Sequence, residues 1–266
     1  MITSSSNDKI KYIRKLQFQK SFRHNERCFV LEGVRLVEEV LRARLVPTFV
    51  LYTEPLASEG RGKALLASLR ALDAPCYAVS ESVMMTCSDT TTPQGILVVL
   101  PFPDPIPPQP LTFALVVDRL RDPGNLGTLL RTALAAGVEQ VLLASGTVDF
   151  TNPKVVRSAM GAHLRLPIAA ADWGTIAEAV SGCDVWLAAA GGERLYTEVD
   201  WTRSAVLIIG GEAQGAGGRA RALARSRVSI PMSAAVESLN AAVAAAIILF
   251  EVVRQRSTRR SAPGAA

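Results

Sequence analysis

Three short stretches hold the polar residues whose types and spacing could do chemistry. The first is Asp118-Arg119-Leu120-Arg121-Asp122-Pro123-Gly124-Asn125-Leu126-Gly127-Thr128-Leu129-Leu130-Arg131. Asn125 and Arg131 flank the first turns of an otherwise apolar helix. A helix N-terminus attracts anions, and an arginine fork there can grip a phosphate. Equally, Asn125 could be a cap and Arg131 plain surface charge. The second stretch is Gly210-Gly211-Glu212-Ala213-Gln214-Gly215, straight after an apolar run. It approaches the dinucleotide pattern Gly-x-Gly-x-x-Gly, but Glu212 replaces the middle glycine. A carboxylate there repels a pyrophosphate, and no Lys-Ser/Thr follows to make a phosphate loop. The glycines still allow close backbone approach to a flat ligand. A ligand with a positive centre and no phosphate suits this turn. The third stretch is Ile230-Pro231-Met232-Ser233-Ala234-Ala235-Val236-Glu237-Ser238-Leu239-Asn240. Ser238 and Asn240 stand just before an Ala-rich helix, and Ser238 can serve as its cap, as a site residue, or as both.

The elements that must carry these stretches can be read from periodicity. Runs at 113–118, 141–144, 166–169, 185–190, 205–210 and 227–231 read as strands. Helices are predicted over 124–136, from Asn152-Pro153 onward, and over 173–181, 217–225 and 238–255. Repeated βα units imply a parallel sheet, and ligands collect at the C-terminal ends of such strands. All three stretches begin where a predicted strand ends.

Six prolines between Pro101 and Pro110 cannot form a helix or a central strand. This stiff linker divides the chain into a first domain over 1–100 and a second over 111–256, with a disordered tail predicted over 257–266. The first domain reads as a small α/β sandwich. It has a basic helix near 8–20, helices at 33–43 and 61–72, and strands at 28–31, 47–52, 76–79 and 96–100.

No apolar run is long enough for a membrane span, and the N-terminus lacks the order of a signal peptide, so a cytoplasmic location is expected. Four scattered cysteines and two histidines, His24 and His163, argue against disulfides, a zinc site or any other metal, and a Ser-His-Asp triad. Net charge is only +5, so placement matters more than the sum. Lys9, Lys11, Arg14, Lys15, Lys20, Arg23 and Arg27 form one basic group. Arg219, Arg221, Arg225 and Arg227 form a second, and Arg254, Arg256, Arg259 and Arg260 a third. One cluster alone is a solvated helix face; three of them point to a polyanion.

The ordered set Asn-x-Gly-x-x-x-Arg, Gly-x-Glu-x-x-Gly and Ile-Pro-Met…Ser-Leu-Asn resembles the SpoU (TrmH) family of SPOUT RNA methyltransferases. Phe29-Val30-Leu31-Glu32-Gly33 and Thr92-Pro93-Gln94-Gly95 resemble the substrate-binding domain that precedes the catalytic domain in ribosomal-RNA members. The resemblance implies a SPOUT-type α/β parallel sheet with a C-terminal trefoil knot, preceded by an L30e-like α/β domain. It implies S-adenosylmethionine as cofactor, a homodimer, and transfer to a ribose 2′-hydroxyl of structured RNA, with 23S ribosomal RNA favoured over transfer RNA. Arg131, Asn125, Glu212, Ser238 and Asn240 would be catalytic. Gly210, Gly211, Glu212, Ile230, Pro231, Met232, Ser238 and Leu239 would hold the cofactor. Lys9, Lys11, Arg14, Lys15, Arg23, Arg35 and Arg121 would meet RNA. Leu239, Val243, Ala246, Phe250 and Val253 form a stripe on the last helix that packs on a partner or on the sheet. Two other readings are a nicotinamide-dependent oxidoreductase, disfavoured by Glu212, and a catalytically silent RNA binder, disfavoured by the complete motif set.

Overall fold

The computed structural model describes residues 1–212, 215–233 and 237–260. Two compact units result: Met1–Asp104 together with Asp149–Arg165, and Pro105–Val148 together with the chain from Leu166 on. In chain order the first unit contains α1 (Asp8–Phe18), α2 (Lys20–Glu26), β1 (Cys28–Glu32), α3 (Val34–Arg42), β2 (Phe49–Thr53), α4 (Glu54–Ser58), α5 (Gly60–Ala71), β3 (Cys76–Val79), α6 (Glu81–Cys87) and β4 (Ile96–Pro101). Its sheet has the order β1-β4-β2-β3. Strand alternation sends successive side chains to opposite faces. Phe29, Leu31, Val50 and Val98 therefore pack under α3 and α5, while Val30, Leu51, Leu97 and Val99 pack under α1 and α6.

The second unit contains β5 (Phe113–Asp118), α7 (Pro123–Ala135) and β6 (Gln140–Ala144). After α8 (Pro153–Ala159) come β7 (Ile168–Ala171), α9 (Trp173–Ala179), β8 (Asp184–Ala188), β9 (Arg194–Leu195), β10 (Ala205–Gly210), α10 (Gly218–Leu223), β11 (Ser226–Ser229) and α11 (Ala241–Arg260). Its seven strands run parallel in the order β7-β6-β5-β10-β8-β11-β9. β5 and β10 are apolar almost throughout because both faces of a central parallel strand are covered. Leu126, Leu129, Leu130 and Ala133 of α7, with Ala242, Ala245, Ile248, Leu249 and Val252 of α11, are buried.

The division read from the linker differs from this in one segment. Residues 149–165, placed by sequence in the second domain, pack with the first unit. Val156 and Leu164 join the core of Phe29 and Leu31. Arg157 pairs with Asp89 at 2.8 Å and Arg165 with Glu39 at 2.8 Å. Sequence periodicity reports that α8 is amphipathic, not which core its apolar face joins. The predicted tail also needs correction. Ser257, Thr258, Arg259 and Arg260 continue α11, with Ser257 and Thr258 hydroxyls bonded to the Arg254 carbonyl. No helix breaker occurs before Pro263; the rest of that tail, 261–266, lies outside the described residues. No described helix is long and apolar enough to cross a membrane.

Candidate functional site

α7 begins because Asp122 caps it, its carboxylate accepting from Asn125 N at 2.7 Å, with Pro123 at the first position. The cap is thus Asp122, and the Asn125 side chain is released for other contacts. α11 begins in the same way at Asn240, whose Oδ1 accepts from Ala242 N at 2.9 Å and Val243 N at 3.2 Å. Ser238 is therefore not the cap that the sequence allowed. Between these helix starts stands the glycine turn after β10. Asn125 Nδ2 donates to Glu212 Oε1, and Asn240 Nδ2 donates to Asn125 Oδ1 at 3.0 Å. The amide orientations follow from both ends of this chain. A carboxylate accepts only, so it takes the Asn125 NH2; the helix amides donate only, so they take the Asn240 oxygen. The three stretches, separated by up to 115 residues, are joined by two hydrogen bonds.

Beside this chain lies a cavity of about 260 Å³ at the C-terminal ends of β8, β10 and β11. Gly210, Gly211, Glu212, Ile230, Met232, Ser238 and Leu239 line it, as does Gly215. Pro231 is exposed and is not in its wall. Ala188, Ala189 and Ala190 complete one side, and Ala244 and Ile248 of α11 another. None of these lining residues is Lys or Arg, and Glu212 is the one acid among them. That donor set fits a cationic, phosphate-free ligand such as S-adenosylmethionine, held by backbone groups and apolar contact.

The glycines are explained by the chain itself. A Cβ on Gly210 would stand 2.4 Å from Ala216 N, and one on Gly211 2.4 Å from the Arg119 carbonyl oxygen. Gly215 has φ +61, a conformation that favours glycine. Their small size folds the turn against its own backbone, rather than admitting a ligand to those two Cα positions. Asp118, buried at the end of β5, accepts from Gly217 N at 2.6 Å and fixes the far side of the turn. In the sequence Asp118 is signalled only as an acid ending an otherwise apolar strand. The alanines at 188–190 carried no signal, since their contribution is the space they leave.

Arg131 does not join the cluster within its own chain. It lies six residues past Asn125, about 9 Å along the helix axis. Its side chain is exposed and makes no hydrogen bond or ion pair among the described residues. Ala213, Gln214 and Ala234–Val236, quoted with the motifs, lie outside the described residues.

Of the residues expected to meet RNA, Lys11, Arg14, Lys15, Arg35 and Arg121 are exposed, and Lys9 is half-buried over the Tyr77 ring at 4.6 Å. Arg23 is a correction. It is 4% exposed, bonded to Asp149 Oδ2 at 2.6 Å, to Thr151 and to the Leu16 carbonyl. A guanidinium so enclosed and paired holds the fold and offers no face to a nucleic acid. Arg256 of the third basic group is likewise structural, donating to the Thr112 and Trp201 carbonyls.

Comparison with known proteins adds independent findings. Residues 112–250 match the model of the SpoU rRNA Methylase family, and residues 7–98 match an MRM3-like substrate binding domain. The chain is 33% identical to the 23S rRNA (guanosine(2553)-2′-O)-methyltransferase RlmP of Bacillus subtilis, over 94% of this chain and 98% of that protein. The SpoU methyltransferase AviRb of Streptomyces viridochromogenes, solved with AdoMet, superposes with a TM-score of 0.86 at 27% identity, covering 95% of this chain and 99% of that one. An AdoMet-bound rRNA methyltransferase from Sinorhizobium meliloti gives 0.82 at 31% identity, covering 95% and 97%. With both halves matched and the motif residues gathered at one set of strand ends, the chain belongs to the SpoU rRNA Methylase family.

Proposed function

We propose that the chain works as a homodimer and moves the methyl group of S-adenosylmethionine to a ribose 2′-hydroxyl of 23S ribosomal RNA. The observation that carries this is the Glu212–Asn125–Asn240 chain beside a cavity free of basic side chains. When bound, S-adenosylmethionine supplies an electrophilic methyl group on a positive sulfur. Glu212 places negative charge beside that region, and Asn125 and Asn240 fix the carboxylate in position. The gathering of Ala188, Gly210, Gly215, Ile230, Ser238 and Leu239, from three separate stretches, around one cavity supports the knot implied by the family. The N-terminal match to a substrate-binding domain supports ribosomal over transfer RNA, and a cytoplasmic address accords with that substrate.

Transfer is an in-line displacement, so holding the ribose oxygen against the methyl carbon supplies much of the rate. Arg131 does not take the hydroxyl proton, because a guanidinium carries only N–H donors and no acceptor. Its role is to hold the neighbouring phosphate and to stabilise negative charge growing on the oxygen. It reaches that place from the partner protomer. Support comes from its exposure on α7 and from the outer face of α11. Val243 and Phe250 are 48% and 50% exposed there, with Ala246 and Val253 half-buried between and beyond them. The inward residues of α11 already cover the sheet, so this stripe is left for a second copy.

The test is transfer from tritiated-methyl S-adenosylmethionine to ribosomal RNA and to transfer RNA in separate reactions, with digestion to nucleosides. The expected label is a 2′-O-methylnucleoside from ribosomal RNA only. Label confined to transfer RNA, or carried on a base, contradicts the reading.

A further inference from the structure

α1 presents an aromatic ring to solvent in the middle of its charged face. Its inner residues Ile10, Ile13, Leu16 and Gln17 are buried. Lys11, Arg14, Lys15 and Phe18 recur at intervals of three and four residues, so they share the outer face. Phe18 is 64% exposed. A single exposed apolar side chain is ordinary on a protein surface, but this one stands among three cations. Arg14 is exposed and makes no hydrogen bond or ion pair among the described residues. Lys11 reaches Asp8 at 3.5 Å, with both side chains open to water. Lys15 Nζ lies 5.3 Å over the Phe22 ring. Residues 8–27 carry seven basic and two acidic side chains, a net charge equal to the +5 of the whole chain, so the remainder balances to zero. In the other two basic groups, Arg225, Arg227 and Arg254 are paired with Asp184, Glu193 and Glu251. The pull on a polyanion is therefore concentrated on α1 and α2. The ring is also held in place. Gln17 Nε2 donates to the Cys87 carbonyl at 3.1 Å, and Arg23 donates to the Leu16 carbonyl at 2.9 Å. These bonds fix the last turn of α1, so Phe18 stands on a rigid element.

We propose that Phe18 stacks on an unpaired base of the RNA substrate while Lys11, Arg14 and Lys15 meet the phosphates on either side of it. The inference rests on the RNA reading above. It adds a contact to a base where the basic group alone would supply contacts to phosphate. Proteins that bind single strands combine a positive track with aromatic rings on which bases stack. A duplex keeps its base faces covered, so the ring engages only a nucleotide that is unpaired. Charge selects RNA over an apolar partner here: a hydrophobic segment laid across Phe18 would cover three cations and leave them unpaired, which is costly. A phenyl ring has no hydrogen-bonding group, so the contact registers the presence of a base face rather than its edge.

The experiment measures fluorescence anisotropy of two short, labelled uridine oligomers against the full chain. They differ only at the central position, adenosine in one and an abasic ribose in the other. The adenosine oligomer should bind about tenfold more tightly, within the range for one base on one aromatic ring. Phe18→Ala should erase that difference with the melting temperature unchanged, and Phe18→Trp should keep it. In Phe18→Trp the adenosine oligomer should also quench indole emission and the abasic one should not; the three native tryptophans all lie in the second unit and give the baseline. Arg14→Ala should keep the difference but reduce the slope of log affinity against log salt by about 0.7, the loss of one phosphate contact on a single strand. Equal affinity for the two oligomers, absence of binding to both, or an adenosine preference that survives Phe18→Ala overturns the proposal. So does a change in the sedimentation of RNA-free protein on Phe18→Ala, which would assign the ring to a contact between copies. Methyl transfer to ribosomal RNA measured in parallel separates the two claims. Transfer without a stacking difference removes the contact alone, and a stacking difference without transfer removes the enzyme reading alone.

Discussion

Glu212, Asn125 and Asn240 come from three sequence motifs, and each would be ordinary in isolation. Their arrangement follows from the capping positions. Asp122 and Asn240 satisfy the free amides of α7 and α11, which leaves Asn125 for Glu212 and Ser238 facing the cavity. The residues themselves were legible as types and spacing; the division of labour between cap and site was not, since Ser, Asn and Asp serve either. Asn125→Ala breaks both links of the chain without touching the core. Steady-state methyl transfer should fall about tenfold, the scale of one hydrogen bond to a charged group, with the melting temperature unchanged. Arg131→Lys keeps the charge and loses the fork. Turnover should drop on the order of 100-fold, as for one donor at a developing oxyanion, while calorimetric affinity for S-adenosylmethionine stays the same. Full turnover in that variant would remove the guanidinium from the account.

At the scale of elements, apolar runs marked the strands: β5 and β10 of the parallel sheet and β3 of the first unit fall where the pattern put them. The short helices α4 and α6 were missed, because five and seven residues carry too little periodicity. The placement of α8 was missed for a different reason, since a helix's apolar face does not name its partner. The turn after β10 shows how tightly an element constrains its site. Gly210→Ala puts a methyl group against the Ala216 backbone nitrogen. Overpacking of this kind costs about 1–3 kcal/mol, and should appear as a lower melting temperature together with weaker cofactor binding. Gly218→Ala, with open space around its Cβ at the start of α10, should leave both unchanged.

Two further expectations belong to the whole molecule. His163 is buried in the first unit, with Nε2 against the Phe150 carbonyl oxygen at 2.7 Å. Burial lowers its pKa to about 4, only partly opposed by that hydrogen bond. In the unfolded chain it protonates near pH 6.5. Between those values the unfolded state binds a proton that the folded state refuses, so stability present above pH 6.5 is lost progressively toward pH 4. Chemical denaturation at pH 7 and pH 5 should show this fall, and His163→Phe should flatten it. Asp149, held below the usual carboxylate range by Arg23, His24 and Thr151 against the opposing effect of burial, acts in the same direction at lower pH. The second expectation concerns the outer face of α11. Phe250→Glu should yield a monomer by sedimentation. If Arg131 acts across the interface, mixing Arg131→Ala and Asn125→Ala chains raises turnover above that of either variant alone, because one of the two sites in each mixed dimer is intact.

The position of the bound cofactor is the most direct test of the site. A crystal structure with S-adenosylhomocysteine should place the ligand among Ala188, Ala190, Gly210, Gly211, Ile230 and Leu239, with its sulfur turned toward Glu212, Asn125 and Asn240. Ligand density in the first unit instead, or a ligand in the second unit with its sulfur turned away from those three side chains, would contradict it.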